Sequence, residues 1–313
     1  MPARFEGGQM RTFLKILAGI VVLVVVAVAG AAAFAQFGSE RKMHRTVRVD
    51  VAPIALPNDQ AALERGAYLY KSRGCAECHG ADGAGKVAIN DGGFLVRAPQ
   101  IAPGERSVTA SYKPEDWVRT IRHGVKPNGE PVFIMPSEDF NRLTDADVGA
   151  IASHVRSLPA ASGSAAELRV PLVVRFLYAA GMIKDAAEKI DHSLPPTQPF
   201  AGTDEMARGG YVAAGCKGCH NEFFSGGTIP GAPPTWPPAA NLTPGPDSAL
   251  ARYPNAEALQ AMFRSGKRPD GSQVSTVMPF GMLGQISTED VGALYGFLKT
   301  IPAAKHGEPP DRG

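Results

Sequence analysis

The longest uninterrupted apolar stretch runs from Ile16 to Ala35, twenty positions without a polar or charged side chain. At about 1.5 Å per helical residue it covers roughly 30 Å, the thickness of a bilayer core. Two fates fit it. It stays as a transmembrane anchor, or it leaves as a signal peptide, for which Ala33-Phe34-Ala35 offers a small-x-small cleavage site. Beyond it, apolar positions recur at helical spacing in short segments bounded by Gly and Pro. Asn58 or Asp59 caps a helix through Tyr68 to Gly74, and Pro114 opens another that holds Trp117 and Ile121 and stops at Gly124. Thr144-x-x-Asp147 resembles a capping box ahead of Val148, Ile151, Ala152 and Val155. A second set follows: Thr203 into a helix ending near Gly215, then Ala256 to Gly266, then Ser287-x-x-Asp290 ahead of Val291, Leu294, Tyr295 and Leu298. Strand alternation is nowhere sustained. The expected fold class is all-α.

The two sets are copies of one unit. Arg65-Gly-Ala-Tyr68 is answered by Arg208-Gly-Gly-Tyr211, Pro127-Asn-Gly129 by Pro269-Asp-Gly271, Met135-Pro136 by Met278-Pro279, and Asp147-Val-Gly-Ala by Asp290-Val-Gly-Ala. A repeat of this length predicts two similar domains in tandem.

Composition changes the picture little. The 35 Gly and 27 Pro among 313 residues suit many turns around short helices, and a net charge of +2 excludes a strongly basic nucleic-acid binder. Residues 1–48 carry seven Lys and Arg against two Glu, so a mildly acidic body follows a basic N-terminal segment. Arg4, Arg11 and Lys15 on one side of the apolar run are balanced by Arg41, Lys42, Arg45 and Arg48 on the other, so these charges do not orient it.

The four cysteines decide the chemistry. They occur only as Cys75-Ala-Glu-Cys78-His79 and Cys216-Lys-Gly-Cys219-His220. C-x-x-C-H attaches c-type haem: the tight turn lets two thiols reach the two vinyl groups on one porphyrin edge, and the next residue brings an imidazole beneath the iron. Disulfides, a thioredoxin-like pair and zinc are the competing readings. Zinc requires the two pairs to converge and leaves the histidines unexplained, and a thioredoxin motif follows a strand, which precedes neither site. Two covalent haems c are therefore expected, on Cys75, Cys78 and His79 and on Cys216, Cys219 and His220. Attachment of this cofactor takes place outside the bacterial cytoplasmic membrane, so both haem domains are expected to face the periplasm from a single-pass anchor.

With Arg-Gly-x-Tyr before each motif, Asn241-Leu-Thr-Pro244, Pro269-Asp-Gly271 and a Met-Pro before an acidic helix, the region from about Asn58 to Pro302 resembles membrane-anchored dihaem class I cytochromes c. The likeness is strongest to cytochrome subunits that take electrons from bacterial membrane dehydrogenases for alcohols, aldehydes or gluconate. Many of those carry three haem motifs where this chain has two. The resemblance implies electron transfer through His/Met-ligated haems, with a dehydrogenase, an oxidase or another cytochrome as partner. It divides the chain into a cytoplasmic N-terminus (1–15), a transmembrane anchor (16–37), a stem (38–57), cytochrome c domain one (58–160), a linker with an apolar helix (161–202), cytochrome c domain two (203–302) and a tail (303–313).

Met135 and Met278 occupy equivalent places and are the expected sixth iron ligands; Met282 lacks a following proline and reads as a packing residue. His123 and His154 read as loop or surface residues, since Ser265 and Tyr295 stand at the matching places. Tyr68, Tyr211 and Trp117 either touch the porphyrin or, with more weight, pack helices. The apolar segment Val170 to Ile183 reads as a helix covering a seam between domains or binding a partner, and Phe223 to Pro246 as a long loop peculiar to the second copy. The function expected is single-electron transfer with no catalytic residue. A dihaem peroxidase is the alternative, which two filled Met positions oppose.

Overall fold

The computed structural model describes residues 7–200, 203–245 and 247–311. The parts of the N-terminal, linker, loop and tail expectations that fall on residues 1–6, 201–202, 246 and 312–313 lie outside the described residues. Helix α1 (Gly7–Ala33) runs through a π-helical stretch (Phe34–Gly38) into α2 (Ser39–Met43). It is the one helix among the described residues long and apolar enough to cross a membrane. The large apolar side chains from Phe13 to Val28 are 45–70% exposed, so no protein face covers them. The residues up to Arg45 form one compact unit with Val170–Lys184; Thr46–Arg169 and the chain from Asp185 onward form the other.

In the first repeat, α3 (Gln60–Ser72) starts at Asp59, whose carboxylate accepts the Ala62 N–H at 3.0 Å. Its end leads directly into the cysteine turn, α4 (Cys75–His79). An antiparallel hairpin follows, β1 (Val87–Asp91) and β2 (Phe94–Arg97), turning on Gly92 and Gly93 with φ of 54° and 81°. Two consecutive residues with positive φ are what a two-residue hairpin of this hand requires. Next come α5 (Pro114–His123), the single turn α6 (Ser137–Phe140) just past Met135-Pro136, and α7 (Asp145–Ser157). Strand β3 (Glu167–Arg169) then adds to β2, giving the sheet order β1-β2-β3. The all-α expectation is corrected by this small sheet. Its strands of three to five residues are too short to register as alternation, and β3 arises within the segment read as linker.

Helix α8 (Leu172–Ala179) belongs with the N-terminal helix. Arg175 pairs with Glu40 at 2.5 Å, Lys42 donates to the Tyr178 carbonyl at 2.9 Å, and the Phe34 and Phe176 rings meet edge-on at 5.6 Å. The segment thus packs on the end of the apolar helix. The short α9 (Ala186–Lys189) follows under a capping box from Asp185.

The second repeat carries α10 (Glu205–Ala213), a 3-10 turn into α11 (Lys217–His220), α12 (Ala256–Ser265), the single turn α13 (Phe280–Leu283) past Met278-Pro279, and α14 (Thr288–Leu298). Asp204, not Thr203, caps α10, because its carboxylate accepts the Ala207 N–H at 2.9 Å. Each repeat has its own core. The first gathers Leu69, Trp117, Ile121, Val148, Ile151 and Val155; the second gathers Val212, Leu259, Phe263, Val291, Leu294 and Leu298. In both, the first and last helices cross backbone against backbone. A Cβ on Gly66 would overlap the Ala150 carbonyl, and one on Gly209 the Ala293 carbonyl. Only glycine permits that approach, and it sets the floor against which each cysteine turn is built.

Candidate functional site

Both cysteine turns leave an α-helix and end in a histidine whose ring is held by a carbonyl twenty residues on. His79 Nδ1 lies 3.0 Å from the Pro99 oxygen, and His220 Nδ1 lies 2.7 Å from the Ala240 oxygen. A carbonyl only accepts, so Nδ1 carries the proton and Nε2 keeps its lone pair, the tautomer a metal ligand needs. Burial lowers both imidazole pKa values, which keeps the rings neutral. It also pushes the thiols up, Cys75 to about 12 and Cys216 to about 11, with Cys78 and Cys219 shifted the same way. These are half-buried thiols rather than thiolates. Among the described residues no three or more of His, Cys, Asp and Glu converge as a metal site, so the two pairs do not form a shared zinc centre.

Met135 packs half-buried on the first core and Met278 half-buried on the second. Met282 packs on the second core too and also reaches toward the first repeat. Its sulfur would lie 2.8 Å from a Cβ on Gly74, beside the cysteine turn of the other repeat. Trp117 is 4% exposed, and its indole N–H has no acceptor. A buried donor without a partner, two imidazoles held with Nε2 free and paired neutral thiols fit a porphyrin with carboxylate groups on one edge.

The largest finding that local motifs missed is the seam between the repeats. Asp147 accepts the Arg65 guanidinium at 2.8 and 2.9 Å from within its own repeat, and the Tyr211 hydroxyl at 2.6 Å from the other. Asp290 mirrors it, accepting Arg208 at 2.5 Å from its own repeat and the Tyr68 hydroxyl from the other. Each tyrosine oxygen in turn accepts a backbone N–H at the cap of the opposite helix, Thr144 at 3.2 Å and Ser287 at 3.3 Å. The expected capping boxes are therefore half made. Thr144 and Ser287 each accept the amide of their aspartate at 3.1 Å, while the carboxylates are drawn into the seam. Burial raises the pKa of Tyr68 and Tyr211, and the facing carboxylate raises each further. Tyr68 and Tyr211 do pack helices, as expected, but their hydroxyls tie the two repeats together. The signal lay in the recurrence of Arg, Tyr and Asp at matching places.

The short helices after the Met-Pro pairs reach across the same seam. α13 leans on the first cysteine turn, where a Cβ on Gly281 would lie 2.6 Å from Glu77 Oε1. α6 leans on the second, where a Cβ on Gly218 would lie 2.9 Å from Asp139 Oδ1. Burial, with Glu138 alongside, pushes Asp139 up to about 7.

The surface reading of His123 is overturned. It is buried at the end of α5, with Nδ1 3.1 Å from His192 Nδ1. His192 Nε2 sits 3.1 Å from the Ala187 oxygen and must donate there, so His192 Nδ1 accepts from His123. Burial first, then His192, lowers His123 to about 4. Residues 185–192 fold over the last turn of α5, which no local pattern announces. His154 is half-buried on α7, its ring 5.4 Å from that of Tyr70.

Comparison with known proteins points the same way. Residues 61–155 match the family model described as cytochrome c oxidase, cbb3-type, subunit III. The chain is 25% identical over 267 residues to the fructose dehydrogenase cytochrome subunit of Gluconobacter japonicus, covering 77% of this chain and 53% of that one. It is 25% identical over 289 residues to the cytochrome c subunit of the quinone alcohol dehydrogenase of Gluconobacter oxydans, covering 80% and 57%. The gluconate 2-dehydrogenase cytochrome c subunit of Pantoea cypripedii is 25% identical over 286 residues, covering 80% and 62%. The chain thus spans between 53% and 62% of the length of these curated relatives. Among solved structures, reduced recombinant cytochrome c4 from Pseudomonas stutzeri is matched over 76% of this chain and 98% of that one, at 18% identity and a TM-score of 0.21. The three dehydrogenase relatives are all named as cytochrome subunits.

Proposed function

We propose that the chain is a dihaem c-type cytochrome that passes single electrons between a donor and an acceptor protein at the periplasmic face of the bacterial cytoplasmic membrane, where α1 anchors it. The observation that carries this reading is the duplicated turn, in which a cysteine pair precedes a histidine whose Nδ1 is bound to a carbonyl twenty residues on. When bound, haem c supplies a one-electron iron couple. Everything else falls to the chain. Cys75 and Cys78, and Cys216 and Cys219, fix the two porphyrins. His79 and His220 would offer Nε2 to the two irons, and Met135 and Met278 would supply their second protein ligands. Filled positions leave no room for substrate, which favours a carrier over a peroxidase. Residues 58–160 and 203–302 are then two tandem class I cytochrome c domains. The names of the relatives support a dehydrogenase as donor, with an oxidase or another cytochrome as the further class of partner.

The test is a haem count with ligand variants. A pyridine haemochrome assay should give two haems per chain. Met278→Ala should lose the weak charge-transfer band of one Met-ligated ferric haem, while Met282→Ala keeps both haems six-coordinate. One haem per chain, or the reverse pattern of variants, overturns the reading.

A further inference from the structure

Helix α8 is amphipathic the wrong way round for a helix in water. Its one charged residue, Arg175, points inward, its side chain 17% exposed and paired with Glu40 and the Ser39 hydroxyl. Tyr178 is fully buried, with Lys42 over its ring at 4.2 Å and Arg45 donating to its hydroxyl at 3.2 Å. The outward face is Leu172, Val173 and Phe176, positions i, i+1 and i+4 that share one side of a helix, and Val173 is 65% exposed. Met182 in the following turn is 73% exposed. A surface helix turns its polar side to water and its apolar side to protein, and here the two are exchanged.

The exposed face does not stand alone. Phe176 sits edge-on against Phe34, at the end of the Ile16–Ala35 run, and Phe37 beside it is 74% exposed. The bare apolar surface of α1 therefore continues onto α8 through the Phe34–Phe176 contact. It continues just where a helix leaving a bilayer core meets the headgroup layer, and there an apolar face with its polar contacts turned inward is stable. We propose that Leu172, Val173, Phe176 and Met182, with Phe34 and Phe37, form a platform that inserts into the acyl–headgroup boundary of the bilayer crossed by α1. The Arg175–Glu40 pair locks α8 to the anchor so that both enter the lipid as one piece. This rests on α1 being a membrane anchor, as proposed above.

The experiment is a depth measurement on the full haem-loaded chain in vesicles of phosphatidylethanolamine and phosphatidylglycerol. Single cysteines at Val173→Cys, Val25→Cys and Ser162→Cys take a nitroxide label, and labelled wild-type protein, whose cysteines are held by haem, gives the background. Spin relaxation by oxygen, which concentrates in lipid, is compared with relaxation by a water-soluble nickel chelate. The label at Val25 should favour oxygen, the exposed Ser162 should favour nickel, and Val173 should side with Val25, reversing the ratio seen at Ser162. Val25 in lipid with Val173 in water overturns the platform and leaves the anchor standing. Val173 shielded from both relaxants means that a second copy covers the face, which also overturns it. Val25 in water removes the anchor and the platform together.

Discussion

Four residues past Met135 stands Asp139, and four residues past Met278 stands Met282. Both side chains reach across the seam to the cysteine turn of the other repeat, so the second turn is faced by a half-buried carboxyl and the first by a thioether. On the opposite side the inequality returns. Trp117 lines the first core with an indole N–H to offer, and its counterpart Leu259 lines the second with none. The α-helix order and the crossing glycines are duplicated; the polar groups beside the two proposed cofactor positions are not. Fold is thus held in common while electrostatics is set separately, and in c-type cytochromes such neighbours tune the potential of each haem. Two one-electron sites of different potential and different pH response are what the comparison predicts.

Removing one site at a time gives the largest effect. Cys75→Ser with Cys78→Ser should leave one haem per chain, beside Asp139, with a midpoint potential that falls as pH rises through about 7. An ionised carboxylate stabilises the ferric form. Cys216→Ser with Cys219→Ser should leave the other haem, whose potential stays flat over that range. Haemochrome counts and pH-dependent redox titration check both, and identical pH curves would break the comparison.

The crossed tyrosine–aspartate ties come next, because they bind the unequal sites into one body. Asp147→Asn and Asp290→Asn each leave a half-buried arginine, 37% and 30% exposed at the side chain, without its charge partner, and should cost about 1–3 kcal/mol. Tyr68→Phe and Tyr211→Phe each remove one hydroxyl and should cost about 1–2 kcal/mol, more at Tyr211, which is buried where Tyr68 is half-buried. Denaturant melts measure this. If the tyrosine variants unfold like wild type, the seam is a bystander.

Proximity along the chain explains why the cysteine turns were legible and the seam was not. Cys75, Cys78 and His79 lie within five residues, so one local motif is enough to suggest the proposed haem site. Tyr68 and Asp290 are 222 positions apart and join only when both repeats have folded. Asp147 and Asp290 read as capping-box residues because that is their local geometry, and the competing partners come from elsewhere in the chain. Helix positions were clear wherever a cap and a stop were local, as at Asp59, Pro114 and Ser287. The β1–β2 hairpin escaped because Asp91-Gly92-Gly93 was its only strong cue. His123 was misread because its cover, residues 185–192, comes from a segment with no periodicity.

Asp139 also makes stability depend on pH. Its folded pKa of about 7 lies above the ordinary 3.8, so between those values the native state holds a proton that the unfolded chain releases. The contribution of Asp139 to stability should therefore fall as pH rises from about 4 to 7 and level off beyond, by at most roughly 1.4 kcal/mol per pH unit. It runs against an opposite contribution from His123, which burial lowers from 6.5 to about 4. Asp139→Asn should remove that fall, matching wild type near pH 4 and exceeding it above pH 7. A fall that survives the substitution would assign it to another group.

The smallest expected effect tests Trp117. If its N–H meets a porphyrin carboxylate, Trp117→Phe removes that donor and leaves the carboxylate more negative, which favours the ferric state. A neutral donor's hydrogen bond contributes about 0.5–1.5 kcal/mol, so the shift is bounded near 60 mV downward for a one-electron couple. It should appear in the first haem alone. Phenylalanine keeps an aromatic ring against Tyr112, whose centroid lies 5.3 Å from that of Trp117, so packing is largely retained. Leu259→Val at the matching place also changes packing, but it removes no donor and should leave both potentials unmoved. Redox titration of the two variants side by side separates lost hydrogen bonding from lost volume. Equal shifts in both haems would mean that Trp117 acts through the shared seam and not through the cofactor it faces.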